Sequence, residues 1–297
     1  MAPGGPIDAD RIARSQDQCR RLGLEPVLCS SARSRGGYLA GPDDDRLSDL
    51  QAAIDDPAID GIWALRGGYG TIRIVDRLIL ERQRKDPIPF VGFSDNTTIH
   101  VEHAALGIVS FHGPHPGEDF PPETEASFRR VLYSEEPAGQ VAGIDGDPAP
   151  RMLVAGMARG PLWGGNLTTL VSLCGSSSRL SGAGRVLFLE DVGEPAYRVD
   201  RMLAQLARAG VLHGVRGLAF GRFSEVSPAE SEAIASTLQQ FAEELGVPST
   251  ADLPFGHTTH NCTLPIGALA QLDSEAGSLT ILEGAVERSR GTLLPLS

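Results

Sequence analysis

Gly61-Ile-Trp-Ala-Leu-Arg-Gly-Gly-Tyr-Gly70 is a short apolar run closed by a glycine-rich turn, and Pro87-Ile-Pro-Phe-Val-Gly-Phe-Ser-Asp95 repeats the arrangement. Apolar runs this short, bounded by Gly, Pro and Ser-Asp, suit buried strands better than helices. Between them, Ile72, Val75, Leu78 and Leu80 have the spacing of one helical face, which predicts a helix over 71–84. Before the first run, Leu47, Leu50, Ala53 and Ile54 mark a helix with an Asp-rich start and a stop at Pro57. After the second, Asp95 and Asn96 can cap a helix carrying Ile99, Val101, Ala104 and Leu106. Ile108-Val-Ser-Phe-His112 follows as a further strand. A helix at 9–22 and a strand around Val27-Leu28 come earlier. Strands alternating with helices predict an α/β unit with a parallel sheet over 1–116.

Residues 117–160 are rich in Pro, Gly and acidic side chains and weak in periodicity, so they read as a linker. A second α/β unit is expected over 161–297. It opens on Gly160-Pro-Leu-Trp-Gly-Gly-Asn166 and a helix through Leu167, Leu170, Val171 and Cys174. A strand at Arg185-Val-Leu-Phe-Leu-Glu190, a helix over 197–209 and a strand at Gly217-Leu-Ala-Phe-Gly221 come next. Ser227-Pro228 starts a long helix ending at Leu245, with proline at the first helical position. Short strands are expected at 268–272 and 278–282.

Composition narrows the function. Of 297 residues, 41% are hydrophobic and 22% charged, and the formal net charge is −12. An acidic chain is a poor partner for nucleic acid or for an anionic membrane surface. No stretch approaches the ~18–20 apolar residues of a membrane span. Cys19, Cys29, Cys174 and Cys262 fall in no CxxC spacing, so neither disulfides nor a zinc site is expected, and a cytoplasmic setting is. A protein acting on a small molecule remains.

Four places could carry chemistry. Ser94 sits between a strand and a helix, where its hydroxyl is exposed beside helix N-terminal amides that can stabilise an oxyanion. A serine there is also an ordinary helix cap, and Asn96 stands where the G-x-S-x-G elbow has Gly. Arg66-Gly-Gly-Tyr-Gly70 lies at the C-terminal end of a strand, where open α/β sheets bind ligands, but it lacks the G-x-G-x-x-G dinucleotide fingerprint. Leu187-Phe-Leu-Glu-Asp-Val-Gly-Glu194 puts acidic residues at a strand end, so Glu190 or Asp191 could orient a histidine. Leu253-Pro-Phe-Gly-His-Thr-Thr-His260 places His257 after a glycine on a loop. His257 and His260 have no acidic or cysteine neighbour in a metal-ligand pattern, so no metal is expected. His100, His103, His112 and His115 read as helix-surface or loop residues.

Together these make a nucleophile, a carboxylate and a histidine in chain order. Gly-Gly-Tyr-Gly70, Gly-Phe-Ser-Asp95, Phe-His-Gly-Pro114, Gly-Gly-Asn166, Leu-Glu-Asp191 with Tyr197 and Arg201, and Pro-Phe-Gly-His257 resemble the LD-carboxypeptidases, serine peptidases that include the microcin C self-immunity proteins. The resemblance spans nearly the whole chain. It implies Ser94 as nucleophile, His257 as general base and Glu190 as the orienting carboxylate. It also implies backbone amides of Asp95 and Gly68 as the oxyanion hole, and Arg66, Gly67, Tyr69 and Asn166 around the substrate. The implied fold is a flavodoxin-like parallel-sheet domain followed by a smaller C-terminal α/β domain. The implied activity releases the terminal D-alanine of murein tetrapeptide in cell-wall recycling, from a cytoplasmic homodimer without cofactor. Cleavage of an acyl-nucleotide amide, as in microcin C immunity, is the alternative within the family, and a catalytically silent small-molecule binder is the alternative outside it. Finally, Ala2-Pro-Gly-Gly-Pro6 resembles the turn that follows the family's first strand, which predicts a native start upstream of Met1.

Overall fold

The computed structural model describes residues 1–287, so residues 288–297 of the expected C-terminal domain lie outside the described residues. In chain order the elements are α1 (Ala9–Arg21), α2 (Asp43–Asp55), β1 (Ile62–Trp63), α3 (Glu81–Lys85), β2 (Phe90–Gly92), α4 (Thr97–Ala105), β3 (Ser110–His112), α5 (Pro122–Leu132), β4 (Gly139–Val141) and β5 (Arg151–Val154). They continue with β6 (Met157–Asn166), α6 (Leu167–Ser172), β7 (Val186–Val192), α7 (Ala196–Arg208), β8 (Gly217–Ser224), α8 (Pro228–Leu245), β9 (Ser249–Ala251), β10 (Leu264–Ile266), β11 (Leu269–Asp273) and β12 (Ser278–Ile281).

Two sheets organise the molecule. The first has the order β1-β2-β3-β10, with β1, β2 and β3 parallel and β10 antiparallel to β3. The main chain of Met1 bonds alongside β1, accepting from Leu65 N at 2.7 Å and donating to Trp63 O at 3.0 Å. The second has the order β4-β12-β11-β6-β7-β8-β9-β5, in which β6 to β9 are parallel and the flanking strands antiparallel. The expected α/β architecture is present, with β1, β2 and β3 two or three residues shorter than expected and β7 and β8 running two and three residues further.

Local rules account for the main elements. On α7, Val199, Met202, Leu203 and Leu206 repeat at i, i+3, i+4 and i+7 and are buried. Ser227 caps α8 by accepting from Glu230 N at 3.3 Å, Pro228 takes its first position, and Gly246 ends it in the left-handed region. β7 is buried on both faces, as a strand central to a parallel sheet should be.

Four expectations are corrected. The helix predicted over 71–84 is replaced by 3₁₀ turns at Thr71–Arg73 and Val75–Arg77 and by the short α3. Ile72, Ile74 and Val75 are β-branched and poor helix formers, and Thr71 is held outward from the helix by two hydrogen bonds to Asp95. Val27-Leu28 forms no strand; Val27 is 70% exposed and has no sheet partner. The stretch 117–160 is not a bare linker, because it holds α5, β4, β5 and the start of β6. Phe128 and Val131 of α5 pack with Val91 and Phe111 of the first sheet, while β4 and β5 become the edges of the second. With these two edges the second sheet has eight strands among the described residues. Finally, His100, His103, His112 and His115 are all buried. α4 is buried from Thr97 to Val101 and again at His103, and His100 places its ring nitrogens on Gly92 O and Ser110 Oγ, both at 2.8 Å.

The two sheets interlock where the site forms. Val101 of α4 belongs to the core of the second sheet, and Gly165 approaches Thr97 so closely that a Cβ there would lie 2.6 Å from its side chain. The loop 252–263 leaves β9 in the second sheet and enters β10 in the first.

Candidate active site

Ser94 follows β2 directly. Phe93 is extended, Ser94 has φ +63°, and the chain then turns through Ser94–Asn96 into α4. Positive φ on a serine is a strained conformation that surrounding bonds must hold. Here Asn96 Nδ2 donates to Phe93 O at 2.9 Å and to Arg66 O at 3.3 Å. From the other side Gly67 presses on the turn, since a Cβ there would lie 2.9 Å from Ser94 Oγ and 3.1 Å from Asp95 N. Only glycine allows the two strand-end loops to approach so closely.

The second loop is fixed by groups that its own sequence does not announce. Gly5 N donates to Gly67 O at 2.8 Å, and Gly68 adopts φ +85° against Gly5. Asp95 turns its carboxylate inward, where Oδ2 accepts from Thr71 N at 3.0 Å while its carbonyl accepts from Thr71 Oγ1 at 2.6 Å. Burial pushes the Asp95 carboxyl up from its ordinary pKa, and the Thr71 hydrogen bonds oppose that rise. Arg46, fully buried, donates to Pro3 O, to Gly70 O at 2.9 Å and to Asp43. It ties the 2–6 turn to the 67–70 loop. Sequence reading missed it because Asp-Asp-Asp-Arg46 looks like a solvated helix start. Arg66 and Tyr69 are exposed on the same loop: Arg66 Nη1 donates to Pro6 O at 2.8 Å, and the Tyr69 ring meets Tyr38 at a tilt, with ring centres 5.7 Å apart.

Glu190 and His257 meet. Glu190 Oε2 accepts from His257 Nδ1 at 2.7 Å and from His257 N at 3.3 Å, and the carboxylate is completely buried near the end of β7. Gly256 makes this possible. It has φ +97°, and a Cβ there would lie 2.7 Å from Glu190 Oε2. Nε2 is left for a proton from elsewhere, and the His257 ring packs on Phe93, next to Ser94, at 4.7 Å. No hydrogen bond joins Ser94 Oγ to His257 in this conformation, and such contacts tighten on substrate binding in many enzymes. Burial alone would lower the His257 pKa, but the charge of Glu190 and its hydrogen bond outweigh burial and raise it.

Asp191, the other acid at this strand end, is spent on structure. Its Oδ1 accepts from Asn166 Nδ2 and Val192 N, both at 2.9 Å, and its Oδ2 from Thr168 N at 2.9 Å and Thr168 Oγ1 at 2.7 Å. Burial, helped by the neighbouring Glu190 charge, pushes its pKa up to about 6. Asn166, expected beside the substrate, is 4% exposed and caps α6 by accepting from Thr169 N at 3.0 Å. Glu194 pairs with Arg198 at 3.3 Å.

The loop carrying His257 is pinned by α5. Thr124 Oγ1 accepts from Asn261 N at 3.1 Å and Ser127 Oγ from Thr263 N at 3.0 Å, while Asn261 Oδ1 accepts from Gly256 N at 3.0 Å. His260 turns to Asp147 at 3.0 Å and Glu123 at 3.7 Å. Among the described residues no group of three or more His, Cys, Asp or Glu could hold a metal ion, and no helix is long and apolar enough to cross a membrane.

A positive-φ serine at a strand–helix turn, whose neighbour Phe93 packs on a histidine held by a buried carboxylate, gives the residue set of a serine-hydrolase type of site on an α/β scaffold. Residues 1–113 match the LD-carboxypeptidase N-terminal domain and residues 159–272 the LD-carboxypeptidase C-terminal domain. The chain belongs to the LD-carboxypeptidase family. A putative carboxypeptidase of Streptomyces coelicolor is 41% identical over 290 residues, 95% of this chain and 91% of that protein. The crystal structure of muramoyltetrapeptide carboxypeptidase from Oxalobacter formigenes superposes with a TM-score of 0.82 at 32% identity, covering 96% of this chain and 98% of that one. An MccF-like protein from Bacillus anthracis superposes with a TM-score of 0.87 at 25% identity, covering 95% of each chain.

Proposed function

We propose that this chain is a serine-type LD-carboxypeptidase that releases the terminal D-alanine of murein tetrapeptide, with Ser94, His257 and Glu190 as its triad. The observation that carries the reading is the 2.7 Å bond from His257 Nδ1 to Glu190 Oε2, which leaves Nε2 available as a base. In this mechanism His257 takes the Ser94 proton as Ser94 Oγ attacks the carbonyl of the L-to-D bond. The N–H groups of Asp95 and Gly68 hold the developing oxyanion, donors worth roughly 2.7–4 kcal/mol each in comparable enzymes. His257 returns the proton to the departing D-alanine amine, then activates water to release the acyl group. In this reading the exposed Arg66 guanidinium, beside Gly67 and Tyr69, takes the terminal carboxylate that a carboxypeptidase must recognise. Glu190 keeps the imidazole in its Nδ1–H tautomer and stabilises the imidazolium. No metal or cofactor takes part in these steps.

Murein tetrapeptide is preferred over an acyl-nucleotide because the 32% identical muramoyltetrapeptide carboxypeptidase is closer in sequence than the 25% identical MccF-like protein. In this reading the enzyme is a cytoplasmic homodimer. Incubation with murein tetrapeptide should yield free D-alanine and a tripeptide. Hydrolysis of an aminoacyl-sulfamoyl nucleotide with the tetrapeptide untouched would instead select the immunity-type activity.

A further inference from the structure

His112 ends β3, is fully buried, and has no hydrogen-bond partner on either ring nitrogen among the described residues. A buried polar ring without partners asks for an explanation, because an apolar side chain would avoid the desolvation it suffers. The surroundings supply one. The His112 ring makes T-shaped contacts with Phe93 at 5.6 Å, Phe188 at 5.1 Å and Phe255 at 6.4 Å. Phe93 precedes Ser94. Phe188 lies two residues before Glu190, so the two side chains project from the same face of β7. Phe255 lies two residues before His257.

The three phenylalanines come from different parts of the fold. Phe93 follows β2 of the first sheet, Phe188 sits on β7 of the second, and Phe255 is on the loop that crosses between them. Phe188 and Phe255 also touch each other at 5.7 Å, and Phe93 packs on the His257 ring at 4.7 Å. His112 is therefore in contact with a near neighbour of each proposed triad member. Burial, together with the nearby His100, His257 and His115, holds its imidazole far to the neutral side, so it brings no charge beside the Glu190–His257 pair.

We infer that His112 is a positioning residue for the hydrolysis, a ring that sets the spacing of Phe93, Phe188 and Phe255 and so holds Ser94, Glu190 and His257 in mutual register. The inference rests on the triad reading above. Edge-to-face ring contacts have a defined geometry, and an aliphatic side chain of similar volume cannot reproduce it. A phenyl ring can.

The test compares His112→Leu with His112→Phe in D-alanine release from murein tetrapeptide, with thermal melts to establish folding and Ser94→Ala assayed alongside. Small misplacements of catalytic groups are costly, so His112→Leu should lower kcat by roughly tenfold or more with KM within about twofold, while His112→Phe stays within about threefold of the parent kcat. If His112→Leu does not fold, Phe255→Leu removes the ring from the partner side and should lower kcat at unchanged KM. Parent-like kcat in the folded leucine variant, or in Phe255→Leu, overturns the inference. So does a folded His112→Phe as inactive as His112→Leu, which would give the nitrogens the essential role. Ser94→Ala separates the two levels: an inactive Ser94→Ala beside a fully active His112→Leu removes only the positioning role, whereas an active Ser94→Ala removes the triad itself.

Discussion

Glu190 and Glu194 stand four residues apart and have opposite environments. Glu190 is sealed at a strand end against His257, whereas Glu194 pairs with Arg198 beyond it. Glu190→Gln should reduce kcat by at least about tenfold with KM little changed, since it leaves the imidazole without its orienting anion. Glu194→Gln should do far less, and the reverse ranking would move the carboxylate to Glu194. The same pair sets the pH dependence. A general base must be neutral, and the folded pKa of His257 is raised by Glu190, so activity is lost as pH falls through that raised value. The acid limb of kcat/KM should have its midpoint above the ordinary imidazole value of about 6.5, and Glu190→Gln should move it lower. Gly256 offers a further check on the geometry. Gly256→Ala adds a Cβ in a positive-φ backbone directly against Glu190, so it should displace the Glu190–His257 bond and cut kcat by about tenfold or more, read against parent kinetics.

Elements differ in how openly the sequence declares them. α7 and α8 are legible because their apolar spacing, caps and stops agree, and β7 because Val-Leu-Phe-Leu is an unbroken apolar run. β6 was hidden. Its Gly160, Pro161, Gly164 and Gly165 are poor strand formers, and glycine is needed there because a Cβ at Gly164 would lie 1.8 Å from Phe188 O. The pattern over 71–84 misled because its Ile72, Val75 and Leu78 spacing is overridden by the bonds from Thr71 to Asp95, a contact visible only in three dimensions. Two members of the proposed triad, Glu190 and His257, meet as the motifs around them lead one to expect. Arg46 and the Thr124 and Ser127 anchors were not legible, since each acts on a loop remote in sequence. Asp191 belongs to this scale. It gathers four donors between β7 and the start of α6, so Asp191→Ala should take the acceptor from Asn166 Nδ2 and Thr168 N and cost about 1–3 kcal/mol, seen as a lower Tm. An unchanged Tm would show that the cluster adds nothing to stability.

At the scale of the whole molecule, the site exists only because two sheets meet. Ser94 comes from the end of β2 in the first sheet, Glu190 from β7 in the second, and His257 from the loop that passes from one to the other. The segment 117–160 is part of that junction, since α5 packs on the first sheet and anchors the His257 loop. The proposed homodimer is checked by sedimentation at assay concentration, where twice the chain mass of 31.4 kDa is expected and a single chain mass would refute it. The central claim is that Ser94, served by His257 and Glu190, cleaves the L-to-D bond of murein tetrapeptide. Its most direct test is D-alanine release from that peptide by the parent protein and by Ser94→Ala, with folding of both established by thermal melts. Release by the parent and its loss in Ser94→Ala by several orders of magnitude is the predicted result; no release by the parent, or more than a few per cent retained by the folded variant, would contradict it.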